Sequence, residues 1–85
     1  MSYYVYILLC RDGTFYTGYT KDIEERARLH AVGRGARYTK SHPPQEIAYV
    51  EEYGTRSGAI KRERAIKKLS HKQKADLIDS QRKKV

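Results

Sequence analysis

Two runs of β-branched and aromatic residues, Ser2 to Cys10 and Thr14 to Thr20, are separated only by Arg11-Asp12-Gly13. A break this short makes the pair an antiparallel hairpin. Along a strand side chains alternate faces, and directly opposed residues share a face. The turn therefore decides which side chains stand together. If Asp12-Gly13 forms a two-residue loop, Tyr6 lies opposite Tyr19, and Tyr16 points through the other face. If Arg11-Asp12-Gly13 forms a three-residue loop, Tyr6 opposes Gly18 and Leu8 opposes Tyr16. Tyr4, Tyr6 and Tyr16 then share one face. Gly13 suits the left-handed position of the longer loop, and Asp-Gly also suits the shorter one, so turn chemistry leaves both open.

The rest of the chain alternates cleanly. Asp22 caps a helix with Glu25 three residues on, the pattern of a capping box, and the helix stops at about Val32 before Gly33. Residues 33–45, with Arg34, Arg37 and Pro43-Pro44, read as a basic loop. Ile47 to Tyr53 reads as a third strand. Thr55 or Ser57 opens a second helix to about Leu69. Ser70 and Gln73 make another capping box, which opens a third helix to about Ser80, and residues 81–85 are expected to fray. The order ββαβαα predicts an α+β fold, a small three-stranded antiparallel sheet flanked by helices, in one domain spanning 1–85.

Charge narrows the function classes. The chain carries 18 Lys/Arg against 10 Asp/Glu, a formal net charge of +8. Residues 1–53 hold seven of each sign, so the whole excess lies in 54–85. A positive block on a neutral body suits a phosphate-rich partner, and the bland alternative is a solvated helix surface. A membrane surface is disfavoured, because the basic part has no Phe or Trp for an interfacial face. The longest apolar run, Tyr3 to Cys10, is too short for a membrane span, and no charged segment leads into it as in a secretory signal. One cysteine excludes an internal disulfide framework or a Cys-rich zinc site. These features predict a protein of a reducing compartment, the cytoplasm, free or on the nucleoid.

Three features depart from ordinary core patterning. On the first helix Ile23, Arg26, Ala27 and His30 share a face. A half-buried Arg26 needs an anionic partner unless it pairs internally or snorkels to water, and His30 taken alone reads as structural. On the second helix Glu63 is the single acid between Gly54 and Lys74, at the margin of the apolar face. It either pairs with Lys67 at i,i+4 or holds a hard cation whose shell is completed by water and phosphate. Finally, eight of nine aromatics are tyrosine, five of them in the hairpin. Strand propensity explains aromatics but not the near-exclusion of Phe.

Tyr4-Val5-Tyr6, Tyr16-Thr17-Gly18 ten residues later, Arg26 on the next helix and Glu63 on a later one resemble, in order and spacing, the GIY-YIG nuclease superfamily. Tyr19-Thr20-Lys21-Asp22, the stretch 35–39 and Ile66-Lys67-Lys68-Leu69-Ser70 resemble its small stand-alone bacterial subgroup. The departures are Tyr4 for Gly, Thr17 for Ile, His30 where some members have Tyr, and the lack of any Asn to follow the metal-binding Glu.

The resemblance implies a metal-dependent endonuclease, a phosphodiester hydrolase acting on DNA, including the branched or damaged DNA met in repair. Tyr6 and Tyr16 match the motif tyrosines, Arg26 the phosphate-binding arginine and Glu63 the single ligand of one divalent cation, Mg²⁺ or Mn²⁺. Tyr6 is assigned as general base and Tyr16 as phosphate positioner, and the roles are exchangeable on sequence alone. A free tyrosine pKa of about 10 is too high for a base, so Lys, Arg or metal must lower it, with Lys21 one candidate. His30 is expected to bond a phosphate or a motif tyrosine. Lys21, Arg34, Arg37, Lys67 and Lys68 are the expected nucleic-acid contacts. This chemistry selects the three-residue loop, or a bulge of the same parity, with Gly18 leaving room for a phosphate beside Tyr6. Two alternatives stand: a non-catalytic DNA- or RNA-binding protein that keeps the fold, and an adaptor whose basic helices bind an acidic protein. The partner is nucleic acid, DNA before RNA, and a protein partner could supply specificity. The oligomeric state is open.

Overall fold

The chain was analysed as a computed structural model that describes residues 2–32 and 42–83. Strand β1 (Tyr3–Cys10) and strand β2 (Phe15–Thr20) form the hairpin. The turn has three residues. Cys10 N–H donates to Thr14 O at 2.9 Å and Gly13 N–H to Cys10 O at 3.0 Å. Gly13 has φ +84°, and no other described residue has positive φ. Asp12 Oδ1 accepts from Thr14 N at 3.0 Å and from its hydroxyl at 2.6 Å, which fixes the entry to β2. Tyr6 is therefore paired with Gly18 and Leu8 with Tyr16.

Helix α1 (Ile23–Ala31) starts at Asp22, whose Oδ1 accepts from Glu25 N at 3.0 Å. The Glu25 carboxylate turns to Arg28 at 2.6 Å, an exposed i,i+3 pair. Strand β3 (Pro44–Tyr53) begins three residues before the predicted Ile47. It pairs with β1 from Cys10↔Pro44 onward, and Arg11 N–H donates to Pro43 O at 2.8 Å. Proline is tolerated there because it is the first residue of an edge strand. The sheet order is β2-β1-β3, all antiparallel. Helix α2 (Arg56–Lys67) is capped by Thr55, and helix α3 (His71–Arg82) by Ser70 with the full capping box.

The helix α3 runs past Ser80, contrary to the expected fraying from residue 81. Gln81 explains the difference: its amide Nε2 donates to Val50 O at 2.6 Å and its Oε1 accepts from Val50 N at 3.3 Å, which ties the last turn to the edge strand. Arg82 adds an ion pair to Glu46 at 2.8 Å.

The sheet is covered on both faces. Val5, Ile7, Ala48 and Tyr49 pack against Ala59 and Ile66 of α2 and Ile78 of α3. A bulge between Ile7 and Leu8 in the β1–β3 ladder keeps Ile47 on the opposite face. There Tyr6, Leu8 and Cys10 pack with Tyr16, Ile23, Ile47 and Val50 beneath α1. Glu51 clamps α2 to β3. Its carboxylate accepts from Arg62 Nε at 3.0 Å and Nη2 at 3.0 Å, from Tyr53 Oη at 2.6 Å and from Tyr49 Oη. Burial alone raises the Glu51 pKa, and the donors from Arg62, Tyr49 and Tyr53 outweigh it, so it lies below the usual glutamate value.

Glu51→Gln removes charge-assisted bonds and costs about 1–3 kcal/mol in chemical denaturation at pH 7. Because the folded-state pKa is depressed, this contribution is complete above the unfolded value of about 4.3 and fades as pH falls through the folded one. The stability of parent and variant should thus converge in acid. Thr17 is 3 % exposed, and its hydroxyl has no hydrogen-bond partner among the described residues. Thr17→Val should raise stability by about 1 kcal/mol, or about 4–8 °C in Tm. A drop in Tm would mean that the hydroxyl is satisfied.

Candidate active site

The hairpin register places Tyr6 and Tyr16 on one sheet face, beneath α1. Tyr6 is 1 % exposed, and its hydroxyl lies 3.0 Å from Nε2 of His30, itself 1 % exposed. The three rings form a triangle, with centroids 6.4 Å apart for Tyr6–Tyr16, 5.7 Å for Tyr6–His30 and 5.8 Å for Tyr16–His30. Tyr16 is only half-buried. Gly18 is what admits the Tyr6 ring. A Cβ on Gly18 would stand 2.7 Å from Tyr6 Oη and 2.9 Å from its Cζ. The expectation that Gly18 leaves room for a phosphate is thus corrected: Tyr6 itself fills that space.

Arg26 lies one turn before His30 on α1, half-buried. Its charge reaches Tyr6, Tyr16 and His30. Among the described residues it makes no ion pair and no side-chain hydrogen bond. The internal acid that would have made it structural is not present there. Glu63 comes from α2 on the other side of the sheet. Because β2 is an edge strand, a side chain from α2 can act on the tyrosine face around it, and the Glu63 charge bears on both motif tyrosines.

Burial pushes the Tyr6 hydroxyl far above its ordinary value, with Tyr16 and Glu63 adding to the rise and Arg26 opposing it. Tyr16 is raised as well, by burial and then by Glu63, again against Arg26. Burial and then Arg26 lower His30, so the imidazole is neutral at pH 7. Its Nδ1 is buried without a partner among the described residues. The expectation that neighbours depress a motif tyrosine is therefore not met in the protein alone. Lys21 does not serve that purpose: its ammonium lies over the Tyr3 ring, 5.8 Å from the centroid.

The other expected contacts are distributed as follows. Lys67 Nζ is 3.7 Å from Glu63 Oε1, so the i,i+4 pair forms, with Lys67 half-exposed. The Glu63 side chain is mostly buried, but its partner is half-exposed and the contact is long, so Lys67 is displaceable. Lys68 is exposed at the C-cap of α2. Arg34 and Arg37 lie outside the described residues. One residue escaped the sequence reading: Arg56, the first residue of α2, donates from Nε to Tyr19 Oη at 3.2 Å and shares a groove with Lys21 and Arg26. It lies seven residues before Glu63, two helical turns along the same stripe, but nothing in the sequence sets it apart from the other basic residues of α2.

A metal fits this donor set in one way only. Among the described residues no three His, Cys, Asp or Glu side chains come together. A lone carboxylate such as Glu63 suits a hard divalent cation that retains its waters, as Mg²⁺ does, and does not suit zinc.

The sequence profile of the GIY-YIG catalytic domain matches residues 2–76. The chain belongs to the GIY-YIG family. GIY-YIG domains are typical of endonucleases, which generally use divalent metal ions, and a nuclease domain implies a nucleic-acid substrate. Similar proteins include a UPF0213 protein of Staphylococcus saprophyticus, 49% identical over 77 residues, covering 91% of this chain and 94% of that one. A UPF0213 protein of Oceanobacillus iheyensis is 44% identical over 80 residues, covering 94% and 93%. Among solved structures, the solution NMR structure of EF2693 from E. faecalis has TM-score 0.65 at 42% identity, covering 100% of this chain and 91% of that one. The NMR structure of the UPF0213 protein BH0048 from Bacillus halodurans has TM-score 0.59 at 39% identity, covering 93% and 84%. No helix among the described residues is long and apolar enough to cross a membrane.

The GIY-YIG pairing of Tyr6 with Gly18 gives a test of the packing. Gly18→Ala should push the Tyr6 hydroxyl off His30 and destabilise the fold by about 1–3 kcal/mol. Thermal melting and the His30 imidazole NMR signals read the two effects. A variant with parental Tm and unchanged imidazole shifts would contradict this close approach.

Proposed function

We propose that the chain is a metal-dependent nuclease that hydrolyses phosphodiester bonds in DNA, including branched or damaged DNA. The observation that carries this reading is Arg26, a half-buried guanidinium beside Tyr6, Tyr16 and His30 that lacks an anionic partner among the described residues. A phosphate of the substrate supplies that anion.

In this reading Arg26 binds a non-bridging oxygen of the scissile phosphate and stabilises its developing charge. Glu63 releases Lys67 and holds the divalent cation, Mg²⁺ or Mn²⁺. When bound, that ion polarises the phosphate and stabilises the leaving 3′ oxygen. The accessible, half-buried Tyr16 orients the attacking water. Tyr6, enclosed and engaged with His30, positions the cluster, which reverses the sequence-based assignment of the two tyrosines. To act as a base Tyr16 must first give up its own proton to solvent, which its raised proton affinity opposes, and charge neutralisation at Glu63 removes one of the causes of that rise.

The same raised tyrosine pKa values favour a second reading, a non-catalytic binder of DNA or RNA that keeps the fold. One assay separates the two: cleavage of linear, nicked, forked and single-stranded DNA with Mg²⁺, Mn²⁺ or EDTA, for the parent and Glu63→Gln. Cleavage is expected with metal and lost in EDTA. Glu63→Gln should lower it at least about 100-fold, with binding retained or strengthened. Metal-independent binding without cleavage of any substrate supports the second reading. Parental cleavage by Glu63→Gln removes Glu63 as the metal ligand and leaves it as the partner of Lys67.

A further inference from the structure

Beside the tyrosine cluster lies an open groove of about 600 Å³, walled by Tyr3, Tyr19, Thr20, Lys21, Asp22, Arg26 and Arg56. Its volume falls within the range of sites that hold small ligands, about 300–1,000 Å³. Three cations and one carboxylate line it. That carboxylate, Asp22, is engaged as the cap of α1. Two of the cations are held by aromatic groups: Lys21 over the Tyr3 ring, and Arg56 on the Tyr19 hydroxyl. Neither makes an ion pair among the described residues. Tyrosines orient these cations without neutralising them, so the groove keeps its positive field.

Arg26 belongs both to this groove and to the tyrosine cluster, which makes the two sites continuous. Arg56 and Glu63 stand on one stripe of α2, two turns apart, about 10 Å along the axis. Arg56 is thus displaced along α2 from the position where Glu63 bears on Tyr16.

We infer that the groove is a second phosphate subsite, in which Arg56 and Lys21 bind the phosphate next to the scissile one on the same nucleic-acid strand. The inference rests on the nuclease reading for its term "scissile", but the subsite itself needs no metal and no cleavage. Arg56 presents a planar fork suited to two phosphate oxygens, and Lys21 adds a mobile point charge. Substrates are then read by backbone at two consecutive positions, so binding depends on the number of linked phosphates and little on base identity.

The test uses the full chain, labelled with ¹⁵N, in EDTA. Thymidine dinucleotide TpT, with one phosphate, and trinucleotide TpTpT, with two, are titrated by NMR. TpTpT is expected to bind about five- to tenfold more tightly, beyond the twofold that two equivalent phosphates give by counting. It should also move the Tyr19, Lys21 and Arg56 signals more than TpT does. Arg56→Ala should bring TpTpT to within about twofold of TpT, Lys21→Ala should do so in part, and Arg56→Lys should retain some of the difference. Equal affinities in the parent, no binding of either probe, or an Arg56→Ala loss shared equally by both probes would overturn the subsite. A parent that distinguishes the probes but cleaves nothing with Mg²⁺ or Mn²⁺ would refute the nuclease reading and leave the subsite standing.

Discussion

The left-handed backbone at Gly13 sets the register on which the tyrosine face depends. With three residues in the turn, Tyr6 meets Gly18 and Leu8 meets Tyr16. One residue fewer would carry Tyr16 to the α2 face and leave Tyr6 facing Tyr19. The choice propagates. Gly18, now opposite Tyr6, has no side chain to block its ring, so the phenol reaches His30. That bond links β1 to α1 one turn beyond Arg26. A glycine in the turn and a glycine in the strand thus do related work: the first fixes which residues oppose each other, and the second lets the opposed tyrosine lie flat across the strand.

The two faces of the sheet treat their arginines oppositely. On the α2 face Arg62 meets Glu51, and two tyrosine hydroxyls complete the carboxylate. That arrangement is satisfied internally and holds the helix down. On the α1 face Arg26 is as much a part of the packing, yet its neighbours are phenols and a neutral imidazole. The carboxylate that acts on the same tyrosines, Glu63, is itself held by Lys67. A half-buried cation without a counter-ion weakens a fold unless a ligand supplies the anion. The groove continues the pattern, with cations oriented by tyrosine hydroxyls and rings. This also accounts for the preference for Tyr over Phe that strand propensity leaves unexplained: Tyr6, Tyr19, Tyr49 and Tyr53 all use their hydroxyls.

Local rules made most of the architecture legible. Asp22, Thr55 and Ser70 each cap the helix that follows them, and Ser70 with Gln73 forms the full box. The sheet and the order ββαβαα also followed from patterning. What patterning missed depends on contacts distant in sequence. Pro44 joins β3 because Cys10 offers a partner, and α3 persists to Arg82 because Gln81 finds the Val50 backbone. At the site, Arg26 and Glu63 stood out as charges at apolar margins. Arg56 did not, since an exposed arginine opening a basic helix carries no signal until Tyr19 and Lys21 are seen beside it. The burial of Tyr6 was equally hidden, because it is set by the ring crossing Gly18.

The central claim is that Arg26 is retained for an external anion and not for the fold. Its most direct measurement is the stability of Arg26→Met without nucleic acid, by chemical denaturation, alongside DNA binding. The account predicts a variant more stable by about 1 kcal/mol, because an apolar side chain of similar length replaces an unpaired half-buried charge. The same variant should bind DNA more weakly. A variant that is destabilised by 1 kcal/mol or more and binds DNA as the parent does would make Arg26 a structural residue and contradict the account.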